Sequence, residues 1–89
     1  MKHAIKLILH GIVQGVGMRY YVAHEASLLQ LNGYVKNMLN GTVLIVLEGE
    51  KESIERFMKA LNAHGPGTID YFEKEAIDVK NYKNFDIRY

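Results

Sequence analysis

The 89-residue sequence predicts an α+β fold: a ferredoxin-like α/β sandwich in which two helices cover one face of a mainly antiparallel sheet. Apolar residues alternate with polar ones in some stretches, as in half-buried strands, and recur at helical spacing in two others. These stretches follow one another as β-α-β-β-α-β, with a short extra strand at the end. The length suits one domain, so residues 1–89 are expected to fold as a single unit.

The first strand and the first helix are predicted from a change in apolar spacing. Residues 4–13 alternate, which indicates a strand with one buried side. From residue 20 to residue 31 the spacing becomes helical, because the apolar side chains fall on one stripe. Asn32-Gly33 then carries the stop signal expected after a helix.

A hairpin is predicted in the middle of the chain. Two short apolar-rich runs, residues 33–38 and 42–48, flank Leu39-Asn40-Gly41. Asn-Gly between such runs is a strong hairpin signal, because both residues tolerate positive φ. The second and third strands are therefore expected to be antiparallel neighbours.

The second helix and the last two strands complete the pattern. Residues 50–63 have apolar side chains at helical spacing, and the Gly-Pro-Gly at 65–67 ends the helix, because proline cannot continue it. A long strand is predicted over 70–79 and a short one over 85–89.

Composition narrows the classes of function. The chain has no cysteine, which excludes a disulfide framework and is typical of a reducing compartment. Its formal net charge of +1 argues against a general nucleic-acid binder, which needs a basic face. No apolar run approaches the roughly 20 residues that span a bilayer, and no signal-peptide core follows Met1. We expect a cytoplasmic monomer without nucleic-acid or membrane partners.

The junction between the first strand and the first helix carries the strongest sign of function. Residues 14–19 read QGVGMR, and glycines allow successive backbone N–H groups to turn toward one point, forming an anion-binding nest. The following helix adds unpaired N–H groups and the positive end of its dipole. Arg19 adds a planar guanidinium that pairs bidentately with phosphate oxygens. The junction predicts a site for one phosphate-sized dianion.

Other phosphate-binding loops fit this junction poorly. A P-loop ends in Gly-Lys-Ser/Thr, which is absent, and the dinucleotide fingerprint needs a third glycine where Tyr20 stands. A nucleotide ligand is therefore not expected. Taken alone, two glycines and one arginine could equally form a tight turn beside a surface cation.

The motifs resemble those of the acylphosphatase family. Residues 11–19, GIVQGVGMR, are similar to the family signature G-x-V-Q-G-V-G-F-R, with Met18 where phenylalanine is usual. Residues 33–37, GYVKN, resemble the second block, G-W/Y-V-x-N. Further matches are Asn40-Gly41-x-Val43, Glu48-Gly49, Phe57, Gly65-Pro66 and Phe85-x-Ile87, so the resemblance covers essentially the whole chain. Gln30 and Asn40 stand where glycine and aspartate are common, and neither position is one that the family's chemistry requires.

The resemblance implies a small, free-standing enzyme that hydrolyses acyl phosphates to a carboxylate and inorganic phosphate, which would also inhibit it. It implies that Arg19 holds the phosphate and that Asn37 orients the attacking water. No metal or cofactor is expected, because Arg19 and the loop can supply the positive charge and the sequence has no cluster of carboxylates or histidines. The expected phosphate-binding residues are Gln14, Gly15, Val16, Gly17, Met18 and Arg19.

Two other classes of function remain as alternatives at this point. The same scaffold could serve as a non-catalytic module that binds a small anion or regulates a larger protein. An RNA-binding ferredoxin-like module is the weaker alternative, because it needs aromatic side chains on its central strands and residues 42–48 contain none.

The remaining polar and aromatic residues carry weaker expectations. Each of the four histidines is expected at the surface or in packing, because a catalytic imidazole needs a placed partner. Tyr20 and Tyr21 could flank the anion site, although one in the core and one at the surface is the simpler expectation.

Overall fold

The computed structural model describes residues 1–89, which form a five-stranded sheet with two helices. The strand order is β4-β1-β3-β2-β5, and every neighbouring pair is antiparallel except β2 and β5, which are parallel. The predicted ferredoxin-like architecture is therefore confirmed. The elements are β1 (Lys2–Ile12), α1 (Met18–Leu28), β2 (Asn32–Asn37), β3 (Val43–Glu50), α2 (Lys51–His64), β4 (Thr68–Ala76) and β5 (Phe85–Arg88).

Both helices pack on the same face of the sheet and bury its apolar side. Val22 and Ala26 of α1, and Phe57 of α2, belong to one buried cluster with the odd-numbered residues of β1 and β3. Alternation along the strands sends every second side chain to this face, so one hydrophobic layer joins sheet and helices. Neither helix is long and apolar enough to cross a membrane.

The predicted end of α1 is wrong. The helix ends at Leu28, and Gln30 adopts a φ of 58°, the left-handed conformation that commonly follows a helix. The Leu31 N–H donates to the Ala26 carbonyl at 2.8 Å and closes the turn. Asn32 and Gly33 are therefore not the stop signal but the first residues of β2, where the chain can lie beside β3.

The hairpin forms where it is predicted, and the boundaries around it shift by a few residues. Residues 38–42 connect β2 to β3, and Gly41 alone of the Asn-Gly pair has positive φ. Asn40 instead accepts hydrogen bonds from the N–H and the hydroxyl of Thr42 through its side-chain oxygen. β4 runs from residue 68 to 76 rather than from 70 to 79, because residues 77–84 leave the sheet edge.

A buried carboxylate holds residues 77–84 against the helix-free face of the sheet. Glu48 of β3 is only 2% exposed, and its carboxylate accepts the backbone N–H groups of Lys80 and Tyr82. Asn32 of β2 donates to the Tyr82 carbonyl at 3.0 Å. This segment connects β4 at one edge of the sheet with β5 at the other, so these bonds guide the chain across the sheet to the start of β5.

Candidate active site

Three strands finish at the same end of the sheet. β1 and β2 both run antiparallel to β3, and β5 runs parallel to β2, so the C-terminal ends of β1, β2 and β5 lie together. Asn37 is the last residue of β2, and residues 13–17 connect the end of β1 to α1. Tyr89 follows the end of β5. The topology brings residues from distant parts of the chain to one place.

Residues 14–17 have the backbone geometry of an anion-binding nest. Gly15 and Gly17 have φ of 73° and 84°, and Val16 between them has negative φ. Such alternation turns neighbouring N–H groups to one side, and none of the N–H groups of residues 14–17 donates to another residue. An added Cβ would meet no atom within 4 Å at either glycine, so the positive φ, not packing, requires glycine here.

The nest opens into a cavity of about 100 Å³. Pockets for drug-sized ligands have about 300–1,000 Å³, so this one suits a single small group. Arg19 and Asn37, the two predicted catalytic residues, both line it, while the Val16 side chain packs against the hydrophobic core. The lining residues are Val13, Gly15, Gly17, Met18, Arg19, Tyr20 and Asn37.

Arg19 brings the only formal charge to the cavity lining. No carboxylate pairs with it; one Nη instead donates to the Arg88 carbonyl at 3.4 Å, and the guanidinium carbon lies 4.6 Å from the centre of the Tyr89 ring. A carbonyl and an aromatic face orient a guanidinium without neutralising it. Its remaining N–H groups are available to an anion.

Asn37 carries the one buried side-chain polar atom without a hydrogen-bond partner. This atom is its amide oxygen, Oδ1. Buried polar atoms are nearly always paired, and the exceptions concentrate where a ligand or a water binds. Pairing of Asn37 with Val43 across the sheet holds its backbone in place. Asn37 also lines the cavity, so this oxygen is the candidate acceptor for a water bound there.

Gln14 joins the nest to the β2–β3 loop. Its side-chain Nε2 donates to the Met38 carbonyl at 2.8 Å and to the Thr42 carbonyl at 2.9 Å. Both side-chain N–H groups of Gln14 therefore already have acceptors. If Gln14 binds phosphate as predicted, it does so through its backbone N–H. These bonds hold the two segments that carry Arg19 and Asn37 at a defined separation.

Replacing Gln14 with methionine is expected to lower kcat about 3- to 10-fold, because two hydrogen bonds between the loops are lost at nearly constant side-chain volume. The inhibition constant of inorganic phosphate should change less than twofold. Gln30→Met, at an exposed glutamine outside the cavity, is the matched control. A loss of phosphate affinity equal to the loss of kcat would instead assign the Gln14 side chain to phosphate binding.

No carboxylate or histidine lines the cavity. His10 contacts Glu73 at 2.7 Å and stacks on Tyr71 with ring centres 4.2 Å apart, while the other three histidines are exposed. The chain contains no group of three or more His, Cys, Asp or Glu side chains arranged to hold a metal ion. A general base of the usual kind is therefore missing from this site.

Sequence reasoning did not find the residues around Arg19 that come from the end of the chain. Tyr20 lines the cavity and is exposed, whereas the Tyr21 hydroxyl donates to the Ala60 carbonyl at 2.9 Å. The Tyr20 and Tyr89 hydroxyls are 3.5 Å apart, and this hydrogen bond raises the pKa of the Tyr89 phenol. No local signal marks Tyr89 or the Arg88 carbonyl, because only the parallel pairing of β5 with β2 brings them here.

The sequence of this chain matches a known protein family. A family model described as acylphosphatase matches residues 5–87, which include the nest, Arg19 and Asn37. The chain belongs to the acylphosphatase family. The predicted family membership is confirmed.

Individual acylphosphatases are similar to this chain over most or all of their length. The enzyme of Vibrio vulnificus is 43% identical over 84 residues, which cover 92% of each chain. The crystal structure of the acylphosphatase from Bacillus subtilis matches with a TM-score of 0.93 and 32% identity, and covers 100% of both chains. These likenesses confirm that the chain is an acylphosphatase enzyme with the ferredoxin-like fold of that family.

The same fold occurs inside a much larger protein. A full-length HypF, solved in a phosphate- and nucleotide-bound form, matches with a TM-score of 0.95 and 34% identity. The match covers 99% of this chain and 12% of HypF. An acylphosphatase-like unit can therefore form a small part of a longer protein.

Proposed function

We propose that the cavity binds the phosphoryl group of an acyl phosphate, R–CO–OPO₃²⁻, and that the chain hydrolyses it there. As an acylphosphatase, the chain is a hydrolase of acyl phosphates. Gly15 and Gly17 of the nest, Met18 at the start of α1 and Arg19 all line this one small cavity, and the nest N–H groups have no acceptor within the chain. Such donors stabilise an anion most where charge develops, and phosphoryl transfer depends mainly on positioning and charge stabilisation.

The buried, unpartnered Oδ1 of Asn37 is the observation that carries the proposal. A water that donates a hydrogen bond to this oxygen would face the phosphoryl group in the same cavity as Arg19. An amide accepts and donates hydrogen bonds but cannot take a proton, so Asn37 orients the water without activating it. Placement alone can contribute several kcal/mol by making the attack effectively unimolecular.

The proton of the attacking water passes to an oxygen of the phosphoryl group in this proposal. Water oxygen bonds to phosphorus, the bond between phosphorus and the acyl oxygen breaks, and the products are R–COO⁻ and H₂PO₄⁻. The carboxylate is a weak base and leaves without a general acid. The absence of a carboxyl or imidazole from the cavity lining supports this route, since neither a base nor an acid is at hand.

We further propose that the chain acts as a cytoplasmic monomer without metal, nucleic acid or membrane. Arg19 and the nest supply positive charge to the phosphoryl group, and no His, Cys, Asp or Glu side chain lines the cavity to hold a metal ion. The absence of cysteine suits a reducing compartment, and a net charge of +1 offers little attraction to nucleic acid or anionic lipid.

Hydrolysis of benzoyl phosphate and acetyl phosphate tests the proposed function directly. Turnover is expected in the presence of a chelator, with inorganic phosphate as a competitive inhibitor. The pH–rate profile should be flat near neutrality, because no carboxyl, imidazole or thiol group lines the cavity. Loss of activity on chelation, or a steep ionisation near pH 7 that moves with one side chain, would contradict it.

A further inference from the structure

Two exposed tyrosines stand at the mouth of the phosphate cavity. Tyr20, in the first turn of α1, lines the cavity and is 64% exposed, and Tyr89 is 84% exposed. Their hydroxyls are 3.5 Å apart, and the Tyr89 ring faces the Arg19 guanidinium. We call Tyr20 and Tyr89 the tyrosine rim. Single exposed apolar side chains are ordinary, but a joined aromatic pair continuous with a cavity is not.

The small cavity leaves the acyl group of the substrate outside it. About 100 Å³ suits a phosphoryl group and its attacking water, so R–CO– must extend beyond the lining residues. In-line displacement puts the leaving oxygen opposite the attacking water. Asn37 reaches the cavity from the sheet, whereas Tyr20 reaches it from the helix that covers the sheet. Tyr20 is the exposed aromatic side chain of the lining, so an acyl group that extends out of the cavity can contact it.

We propose that the tyrosine rim is the acyl-group subsite and that it favours acyl phosphates with a flat, apolar acyl group such as an aromatic ring. Tyrosine rings offer a rigid apolar face, and aromatic pairs in offset or edge-to-face contact gain affinity beyond the area they bury. An acetyl group is too small to cover such a face.

This inference rests on the proposed function and is tested by comparing two substrates. Replacing Tyr20 with alanine is expected to lower kcat/KM for benzoyl phosphate about 3- to 10-fold, mainly through KM, and to change that for acetyl phosphate less than twofold. Tyr20→Phe keeps the ring and should keep the preference for benzoyl phosphate. The two substrates differ in intrinsic reactivity. Comparing the ratio of their kcat/KM values between variants removes that difference.

Leu28→Ala is the matched control, because Leu28 is also 64% exposed and lies at the other end of the same helix. This substitution should leave kcat/KM unchanged for both substrates. Alanine is a good helix former and Tyr20 is mostly solvated, so the variant is expected to fold, which thermal unfolding would check. The inhibition constant of inorganic phosphate should also stay within twofold, since the phosphate ligands are intact.

Four outcomes separate the possibilities. A loss confined to benzoyl phosphate supports the subsite. An equal loss for both substrates overturns it and makes Tyr20 a residue that positions Arg19, while no loss for either overturns it outright. If the unaltered chain hydrolysed neither substrate, the proposed function itself would be overturned. The Tyr20 variants test only the subsite.

Discussion

Replacing Arg19 with alanine is expected to lower kcat/KM for acyl phosphates about 30- to 1000-fold. Charge-assisted hydrogen bonds contribute about 1.5 to 3 kcal/mol each, and the guanidinium can make two that strengthen as charge shifts onto the phosphoryl oxygens. The estimate of about 2 to 4 kcal/mol allows for partial compensation by the nest, which stays in place. Arg19 has no carboxylate partner, so its removal leaves no buried charge behind.

A lysine at this position separates charge from geometry. Arg19→Lys keeps a positive charge but loses the planar fork, the contact with the Arg88 carbonyl and the placement of the guanidinium over the Tyr89 ring. Activity between those of the alanine variant and the unaltered chain is therefore expected. Arg56→Ala, at an exposed arginine of α2, is the matched control. Near-normal hydrolysis of benzoyl phosphate by Arg19→Ala would show that the guanidinium does not hold the phosphate.

Replacing Asn37 with alanine is expected to lower kcat about 10- to 100-fold while phosphate inhibition changes less than threefold. The amide is proposed to hold the water and not the phosphoryl group, so its loss should affect turnover much more than binding. The buried, unpartnered Oδ1 disappears with the substitution, so the folded state should be no less stable than before. Steady-state kinetics with phosphate as inhibitor, together with denaturant unfolding, measures both effects.

Asn37→Asp is the sharper variant, because it keeps the shape and changes the charge. A carboxylate beside the phosphoryl group repels it. Phosphate inhibition should therefore weaken, and kcat should fall as well. Asn62→Ala, at an exposed asparagine of α2, is the control. If Asn37→Ala weakened phosphate inhibition as strongly as it lowered kcat, the amide would be a phosphate ligand and the water would need another residue.

The strands and helices could be predicted because their signals are local. Alternation in β1, helical spacing in α2 and the Asn40-Gly41 turn each depend on neighbours within one element. The end of α1 could not be predicted in the same way. Asn32-Gly33 looks like a stop signal, but pairing with β3 recruits both residues into β2, and Gln30 takes the left-handed position. Long-range pairing outweighed a local preference.

Residue types and spacing in the sequence indicated the order of the elements and a nest at Gly15 and Gly17 beside Arg19, and the family motif added Asn37 as a second candidate. How these residues come together depends on the assembled sheet. The ends of β1, β2 and β5 come together through pairings between strands far apart in the chain, and those pairings place Asn37 and Tyr89 around Arg19. Contacts between distant segments depend on how the whole sheet assembles, which no local pattern encodes.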